Sequence, residues 1–93
     1  LKLVHTLNQN PAVHGILIQQ PLPPHLASSK IIEALDPAKD VDGFHPINMG
    51  KLLLEDPTAL IPCTPLGIQK LLTAYSIPTE GKHLVILGRS AIV

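Results

Sequence analysis

Ten consecutive residues of this chain concentrate chemically versatile side chains. The stretch "KDVDGFHPIN" at 39–48 places two carboxylates, a lysine and a histidine around one glycine. An ionised carboxylate beside a glycine, here Asp42 followed by Gly43, can accept paired hydrogen bonds from the amino-amidine edge of a planar ring such as a pterin or guanine. The alternative is an Asx-type turn, in which the Asp42 carboxylate caps nearby backbone N–H groups.

Other polar residues in and near this stretch have simpler interpretations. Lys39 and Asp40 are expected to form a solvated ion pair that contributes little to stability. His45 is expected to pack its ring in a loop, since no second ligand lies at metal spacing, and we predict no metal site. Cys63 has no neighbouring base in the sequence, which disfavours a role as a nucleophile.

Two further candidates follow short apolar runs. Gln19 and Gln20 come directly after "GILI", where polar residues are also common simply because strands end in solvent. The turn Gly88–Arg89–Ser90 follows "LVIL", and backbone N–H groups together with a planar guanidinium suit a phosphate. The full G-x-G-x-x-G spacing is not present, so an ordinary turn is the alternative.

Predicted helices and strands alternate along the chain, which favours an α/β architecture with a parallel sheet. The last helix is expected to begin with Thr64 as N-cap and Pro65 as its first residue. In such sheets ligands bind beyond the carboxyl ends of the strands, where the polar candidates lie. Hydrophobic periodicity predicts helices at 1–9, 28–35, 49–56 and 64–75 and strands at 13–20 and 81–88.

Composition excludes several classes of protein. The chain has 93 residues, of which 45% are apolar and 15% charged, so we expect one small domain with a core. A formal net charge of zero and an aromatic content of 2% argue against nucleic acid and membrane partners. A single cysteine excludes an internal disulfide, and with neither a signal peptide nor an apolar span we predict a soluble, cytoplasmic protein.

Both ends of the sequence lie inside predicted elements. Residue 1 is a leucine within an amphipathic pattern, and the last residues follow directly on an apolar strand. We therefore expect an internal segment of a longer polypeptide.

Four sequence blocks, in this order, resemble the bifunctional methylenetetrahydrofolate dehydrogenase/methenyltetrahydrofolate cyclohydrolase family. The resemblance covers residues 11–93 and implies an enzyme of one-carbon metabolism and purine biosynthesis. It also implies a cytoplasmic homodimer that acts on tetrahydrofolate substrates with NADP, with NAD as the alternative. The blocks are "GILIQQPLP", "DPAKDVDGFHPINMGKL", "IPCTPLGIQKLL" and "GKHLVILGRSAIV".

The resemblance also implies roles for individual residues. Gln19 and Asp42 would be the catalytic-site residues, with Gln19 bonded to a catalytic lysine and Asp42 bound to the pterin. Pro21 and Gly43 would complete the folate site. The residues implied at the cofactor are Cys63, Thr64, Pro65, Gly88, Arg89 and Ser90.

The same resemblance implies two domains. Residues 1–62 would end an N-terminal α/β catalytic domain that binds folate. Residues 63–93 would supply the connector helix and the first strand and turn of a Rossmann-type NAD(P)-binding domain.

The sequence departs from the family pattern at two places. The family's Tyr-x-x-x-Lys motif is expected before residue 1, and Tyr75 is followed four positions later by Thr79 rather than by lysine. Gln20 stands where an apolar residue is usual. The segment alone is therefore not expected to sustain catalysis, and the alternative interpretation is a non-catalytic, degenerate relative that acts as a binding or interaction module.

Overall fold

The computed structural model describes residues 1–90, which are mostly helix and irregular coil. The predicted helices at 1–9, 28–35 and 64–75 are confirmed to within a few residues. None of the described helices is both long and apolar enough to cross a bilayer. The elements are α1 (Lys2–Gln9), α2 (Ser28–Glu33), a 3₁₀ turn (Pro37–Lys39), α3 (Pro46–Leu53) and α4 (Cys63–Ala74).

A small apolar core lies in the first half of the chain. Val4 of α1, Ile16 and Leu35 are buried and form its centre. Burying side chains of this size stabilises a fold by roughly 1.5–3 kcal/mol each. The partly buried residues packed against this centre are Leu7, Val13, Ile18, Ile31 and Ala34.

Polar side chains tie the end of α1 to the segment before α3. The Asn8 side chain donates to the carbonyl of Ala34 at 2.8 Å and accepts from the N–H of Asp36 at 3.0 Å. The last carbonyls of a helix lack intrahelical partners and carry partial negative charge, so an ammonium group is favoured there. Lys39 Nζ donates to three carbonyls at this end, those of Leu7, Asn8 and Asn10, at 3.1, 2.6 and 2.9 Å.

Helix α3 begins three residues earlier than predicted. Pro46 occupies its first position, where the missing N–H costs nothing, and His45 is the N-cap. The His45 Nδ1 atom accepts from the N–H of Ile47 at 3.1 Å. The His-Pro pair was thus a helix start signal that hydrophobic periodicity alone did not register.

The predicted start of α4 is wrong by two residues. Pro62, with φ −52° and ψ 133°, is the N-cap, and Thr64 and Pro65 are the second and third helical residues. A proline is tolerated at the third position because the first four N–H groups of a helix have no intrahelical acceptor.

The predicted strand at 13–20 does not form within the described residues. Only Ile16 pairs, in a single parallel bridge with Asp40, and its N–H donates to the carbonyl of Lys39 at 2.7 Å. A longer ladder is not possible with this partner, because the chain leaves the bridge directly into a turn at residues 41–42. The apolar residues at 13–20 therefore indicated burial around Ile16 rather than strand pairing.

The predicted strand at 81–88 is likewise wrong for the described residues. None of them pairs with another described segment, and a strand requires a neighbouring chain for its ladder. Four successive apolar side chains, those of Leu84, Val85, Ile86 and Leu87, are 72%, 67%, 74% and 95% exposed. The α/β architecture is therefore not realised within residues 1–90 taken by themselves.

Candidate functional site

The loop that carries Asp42 is closed by a buried carboxylate. Asp40 is only 2% exposed, and its Oδ2 accepts from the backbone N–H of His45 at 2.8 Å and from Asn48 Nδ2 at 2.9 Å. Asn48 Nδ2 also donates to the carbonyl of Pro37 at 2.9 Å. The predicted solvated pair of Lys39 and Asp40 is therefore wrong, whereas the predicted packing of His45 is confirmed by its burial.

Gly43 brings this loop against the segment before α4. Its φ of +69° lies in the region that favours glycine, and its N–H donates to the carbonyl of Asp40 at 3.3 Å. A Cβ at this position would lie 2.5 Å from the Leu60 carbonyl oxygen and 2.9 Å from Pro62 N. The close approach of the chain's own backbone, in addition to any ligand, therefore requires a glycine here.

A second contact joins the same two segments. Cys63 Sγ donates to the carbonyl of Val41 at 3.4 Å, although the cysteine side chain is otherwise exposed. The loop at 40–45 and the first residue of α4 are thus held together on both sides of Asp42.

Asp42 itself is left available to a ligand. Its side chain is half-buried, and no N–H or O–H group among residues 1–90 donates to its carboxylate. The alternative of an Asx-type turn is therefore wrong for the described residues, because the turn is made by the backbone and by Asp40 instead. A carboxylate whose loop is fixed but whose oxygens are unpaired suits recognition of paired donors.

Gln19 lies three residues after Ile16, the residue that forms the parallel bridge. Ile16 pairs in parallel with Asp40, and the chain turns at residues 41–42 directly after this bridge. Gln19 is exposed and its Nε2 donates to the carbonyl of Gln20 at 2.9 Å. Gln19 and Asp42 thus follow the two bridged residues by three and two positions, no hydrogen bond among residues 1–90 joins them, and Pro21 is exposed.

Gln20 is anchored differently from its neighbour. Its Oε1 accepts from Ser28 Oγ at 3.0 Å, at the start of α2, while its Nε2 is buried without an acceptor among the described residues. The side chain therefore turns towards α2.

Two of the predicted cofactor residues lie at the same cavity. Pro65 and Ser90 line one open cavity of about 500 Å³, together with Pro62 and residues of α3. Thr64 and Arg89 are exposed, and Gly88 has φ +150° with open space where a Cβ would stand. In residues 1–90 no three acidic, histidine or cysteine side chains cluster closely enough to hold a metal ion.

Three residues that build the site were missed by sequence reasoning, namely Lys39, Asp40 and Asn48. Asn48 occupies the third position of α3, from which a side-chain amide can reach back to residues before the helix, as in a capping box. That signal depends on knowing that α3 starts at Pro46. The role of Lys39 depends on a contact with α1 about thirty residues away and has no local signal.

Comparisons with known proteins agree on one family. Residues 1–42 match the catalytic domain of tetrahydrofolate dehydrogenase/cyclohydrolase, and residues 62–93 match the NAD(P)-binding domain of the same family. The Bifunctional protein FolD of Chlamydia pneumoniae is 59% identical over 93 residues, which is all of this chain and 32% of that protein.

Solved structures follow the same backbone path. The bifunctional FolD methylenetetrahydrofolate dehydrogenase/cyclohydrolase of Campylobacter jejuni matches 99% of this chain with a TM-score of 0.94 and 54% identity. A 5,10-methylenetetrahydrofolate dehydrogenase of the silkworm Bombyx mori matches 99% with a TM-score of 0.92 and 37% identity. The chain covers 33% and 32% of those two structures and thus spans about a third of the relatives it matches.

Proposed function

The chain belongs to the tetrahydrofolate dehydrogenase/cyclohydrolase family, and from this membership we propose that the full-length protein oxidises 5,10-methylenetetrahydrofolate to methenyltetrahydrofolate with NADP. The same protein then hydrolyses the methenyl product to 10-formyltetrahydrofolate. The observation that carries the proposal is the Asp42 carboxylate, which is unpaired among residues 1–90 on a loop closed by buried hydrogen bonds.

Asp42 is proposed to hold the pterin ring. The amino-amidine edge of a pterin presents two parallel donors, and an ionised carboxylate accepts both in one plane. Fixing this ring fixes the position of the one-carbon bridge, from which the oxidation removes a hydride. Because this first step needs orientation more than a strong base, a rigid binding loop is the main requirement that these residues must meet.

Gln19 is proposed to act in the second step. Hydrolysis of the methenyl group requires a water molecule to add and a proton to be moved by a positioned group. The family's lysine is not among these residues, and the exposed Gln19 side chain is proposed to orient it by a hydrogen bond. Pro21 and Gly43 are proposed to shape the folate site around these two side chains.

The residues near the start of α4 and at 88–90 fit NADP. Gly88 has backbone that a side chain rarely adopts and open space around it, and the exposed Arg89 supplies a planar cation suited to phosphate. Ser90 and Pro65 line the same cavity. When bound, NADP would supply the nicotinamide that accepts the hydride, and Cys63 and Thr64 in the first turn of α4 are proposed to help hold it.

The finer architecture is part of the same proposal. Residues 1–62 are assigned to the folate-binding α/β domain and residues 63–93 to the connector helix and first strand and turn of a Rossmann-type domain. The ends of the two matched family domains, at residues 42 and 62, support a boundary near this point. A cytoplasmic homodimer is proposed because the family resemblance implies both properties.

The test is an assay of the full-length protein with methylenetetrahydrofolate and NADP. Replacement of Asp42 by Asn removes the charge that accepts the paired donors. We expect kcat/KM for the folate to fall about a hundredfold, which corresponds to about 2.7 kcal/mol of transition-state binding. The KM for NADP should change little, because the loss concerns the folate alone.

Asp56→Asn is the matched control, since the described hydrogen bonds of Asp56 are to Thr58 in its own turn and its replacement should leave both KM values unchanged. If the wild-type protein does not reduce NADP with this substrate, the activity is wrong. If it does so and Asp42→Asn is equally active, the proposed pterin site is wrong.

A further inference from the structure

The proposed pterin-binding aspartate lies in a loop that the Asp40 side chain closes by a hydrogen bond to His45. Asp42 lies two residues after Asp40 and three before His45, and the Asp40 carboxylate accepts from the His45 N–H at 2.8 Å. Asn48 Nδ2 reaches the same oxygen at 2.9 Å from the first turn of α3. One carboxylate oxygen therefore closes the loop and fixes it to a helix.

The Asp40 carboxylate is engaged through neutral donors. Its two described partners are a backbone amide and a side-chain amide, and the adjacent Lys39 ammonium instead bonds three carbonyls at the end of α1. A buried carboxylate without a paired cation is costly unless its hydrogen bonds are well made. What the residue provides here is hydrogen-bond geometry rather than an ion pair.

Backbone contacts restrain the loop as well as side-chain hydrogen bonds. Asp40 is also the residue that bridges to Ile16, and Gly43 lies against the backbone of Leu60 and Pro62. Asp42 is thus an unpaired carboxylate in a loop that is restrained at both ends and at Gly43. A side chain mounted in this way loses little conformational freedom when a ligand binds.

We propose that Asp40 is a positioning residue for folate binding, which orients the Asp42 carboxylate by locking the loop at 40–45. This inference rests on the proposed function. Asp40 itself is 2% exposed and acts through the loop, whereas Asp42 meets the substrate.

Two substitutions at this position separate geometry from charge. Asp40→Asn retains one oxygen that can accept from both donors, because both reach Oδ2, whereas Asp40→Ala removes both bonds. In the full-length protein we expect Asp40→Ala to raise the folate KM about tenfold, equal to about 1.4 kcal/mol, and Asp40→Asn to raise it less than about threefold. The KM for NADP should stay within about twofold of wild type in both variants.

Two further variants distinguish a loss of folate binding from a loss of protein stability. Val4→Ala removes part of the buried core and should lower the melting temperature without raising the folate KM. Asn48→Ala removes one of the two donors and leaves Asp40 in place, so it tests the lock if Asp40→Ala fails to fold. We expect it to raise the folate KM about threefold or more, because one of the two bonds to Oδ2 is lost.

The outcomes separate this inference from the activity on which it rests. A wild-type protein with no folate-dependent NADP reduction contradicts the proposed function, and the inference with it. An active wild type whose folate KM is unchanged in Asp40→Ala and Asn48→Ala contradicts the inference alone. Equal losses in Asp40→Asn and Asp40→Ala would also overturn it, because the charge and not the loop geometry would then matter.

Discussion

Residues 1–62 and residues 63–90 are held in place in different ways. The first segment contains every buried residue of the described chain and side-chain hydrogen bonds that span long stretches of sequence, such as Lys39 to Asn8 and Asn48 to Pro37. Within 63–90 the described hydrogen bonds are local, and Cys63 supplies a single side-chain bond to the first segment, at Val41.

This difference separates two kinds of site. The proposed folate loop is positioned by contacts inside one stretch of about sixty residues, so its geometry is already set. The proposed cofactor turn at Gly88–Ser90 follows four exposed apolar side chains, which find no cover among the described residues. Packing of residues 84–87 against other described residues therefore does not fix the geometry of this turn.

The sharpest test uses two glycines with the same backbone angle. Gly43 and Gly81 both have φ +69°, but a Cβ at Gly43 would meet the Leu60 and Pro62 backbone, whereas nothing lies within 4 Å at Gly81. We expect Gly81→Ala to cost about 1 kcal/mol for the left-handed backbone alone, and Gly43→Ala to cost about 3 kcal/mol or more because backbone must also move. Urea unfolding of the full-length protein measures both.

Equal losses at the two glycines would contradict the comparison, since they would show that contacts across the chain add nothing at Gly43. A third variant, Gly50→Ala, serves as a reference. Gly50 lies inside α3 with open space around it, and an alanine there should stabilise the helix by up to about 1 kcal/mol.

The second test compares two lysines. Lys39→Met keeps the length of the side chain but removes three bonds to the end of α1, and we expect it to destabilise the protein by about 2 kcal/mol. Lys70→Met on the exposed surface of α4 should change stability by less than about 0.5 kcal/mol. Thermal unfolding of both variants measures the two effects. If Lys39→Met is as stable as wild type, the three bonds do not contribute to the stability of the fold.

Sequence reasoning located most helices because periodicity and proline signals are local. It failed at Asp40, which was expected in a solvated pair but is buried, whereas Asp42, the same residue type two positions later, is half-buried. Which of them is buried is decided by Asn48, a contact that no local pattern encodes. It failed at 13–20 and 81–88 for a related reason, since an apolar run signals burial, whereas a strand exists only if another segment pairs with it.

A smaller change in stability is expected at the C-terminal ends of α3 and α4, and it should be the same in both segments. Helices α3 and α4 each end with a non-glycine residue in the left-handed region, Glu55 at φ 57° and Ser76 at φ 55°. In each case the N–H of the left-handed residue and the N–H of the residue after it donate to carbonyls of the last turn, as in a Schellman motif. The four bonds run from Glu55 to Leu52, Asp56 to Lys51, Ser76 to Thr73 and Ile77 to Leu72.

Glycine at either position should therefore stabilise the protein by about 0.5–1 kcal/mol, because only the local backbone strain is relieved. The measurement is the urea midpoint of Glu55→Gly and Ser76→Gly, with Ser76→Ala as the control that should gain nothing. A gain at one helix and not the other would show that the surroundings of these ends differ after all.

The smallest effect concerns an exposed turn in the well-connected segment. Asp56 Oδ1 accepts from Thr58 N at 2.8 Å and from Thr58 Oγ1 at 2.7 Å, and these bonds, with a smaller contribution from the charge of Lys51, lower the pKa of the Asp56 carboxyl. A lowered pKa means that the folded state favours the ionised form. The resulting stability is present above the pKa of the unfolded chain, near about 4, and is lost as the pH falls through the folded value.

Asp56→Asn should accordingly be slightly less stable than wild type at neutral pH and equal to it in strong acid, where the aspartate is protonated in both states. Unfolding midpoints of the two proteins across this range measure the difference. A deficit that persists unchanged in acid would assign the effect to the lost hydrogen-bond geometry instead of to the charge. Because this turn is exposed, we expect a small change even though its segment is the better connected one, since charge interactions at exposed sites contribute little to stability.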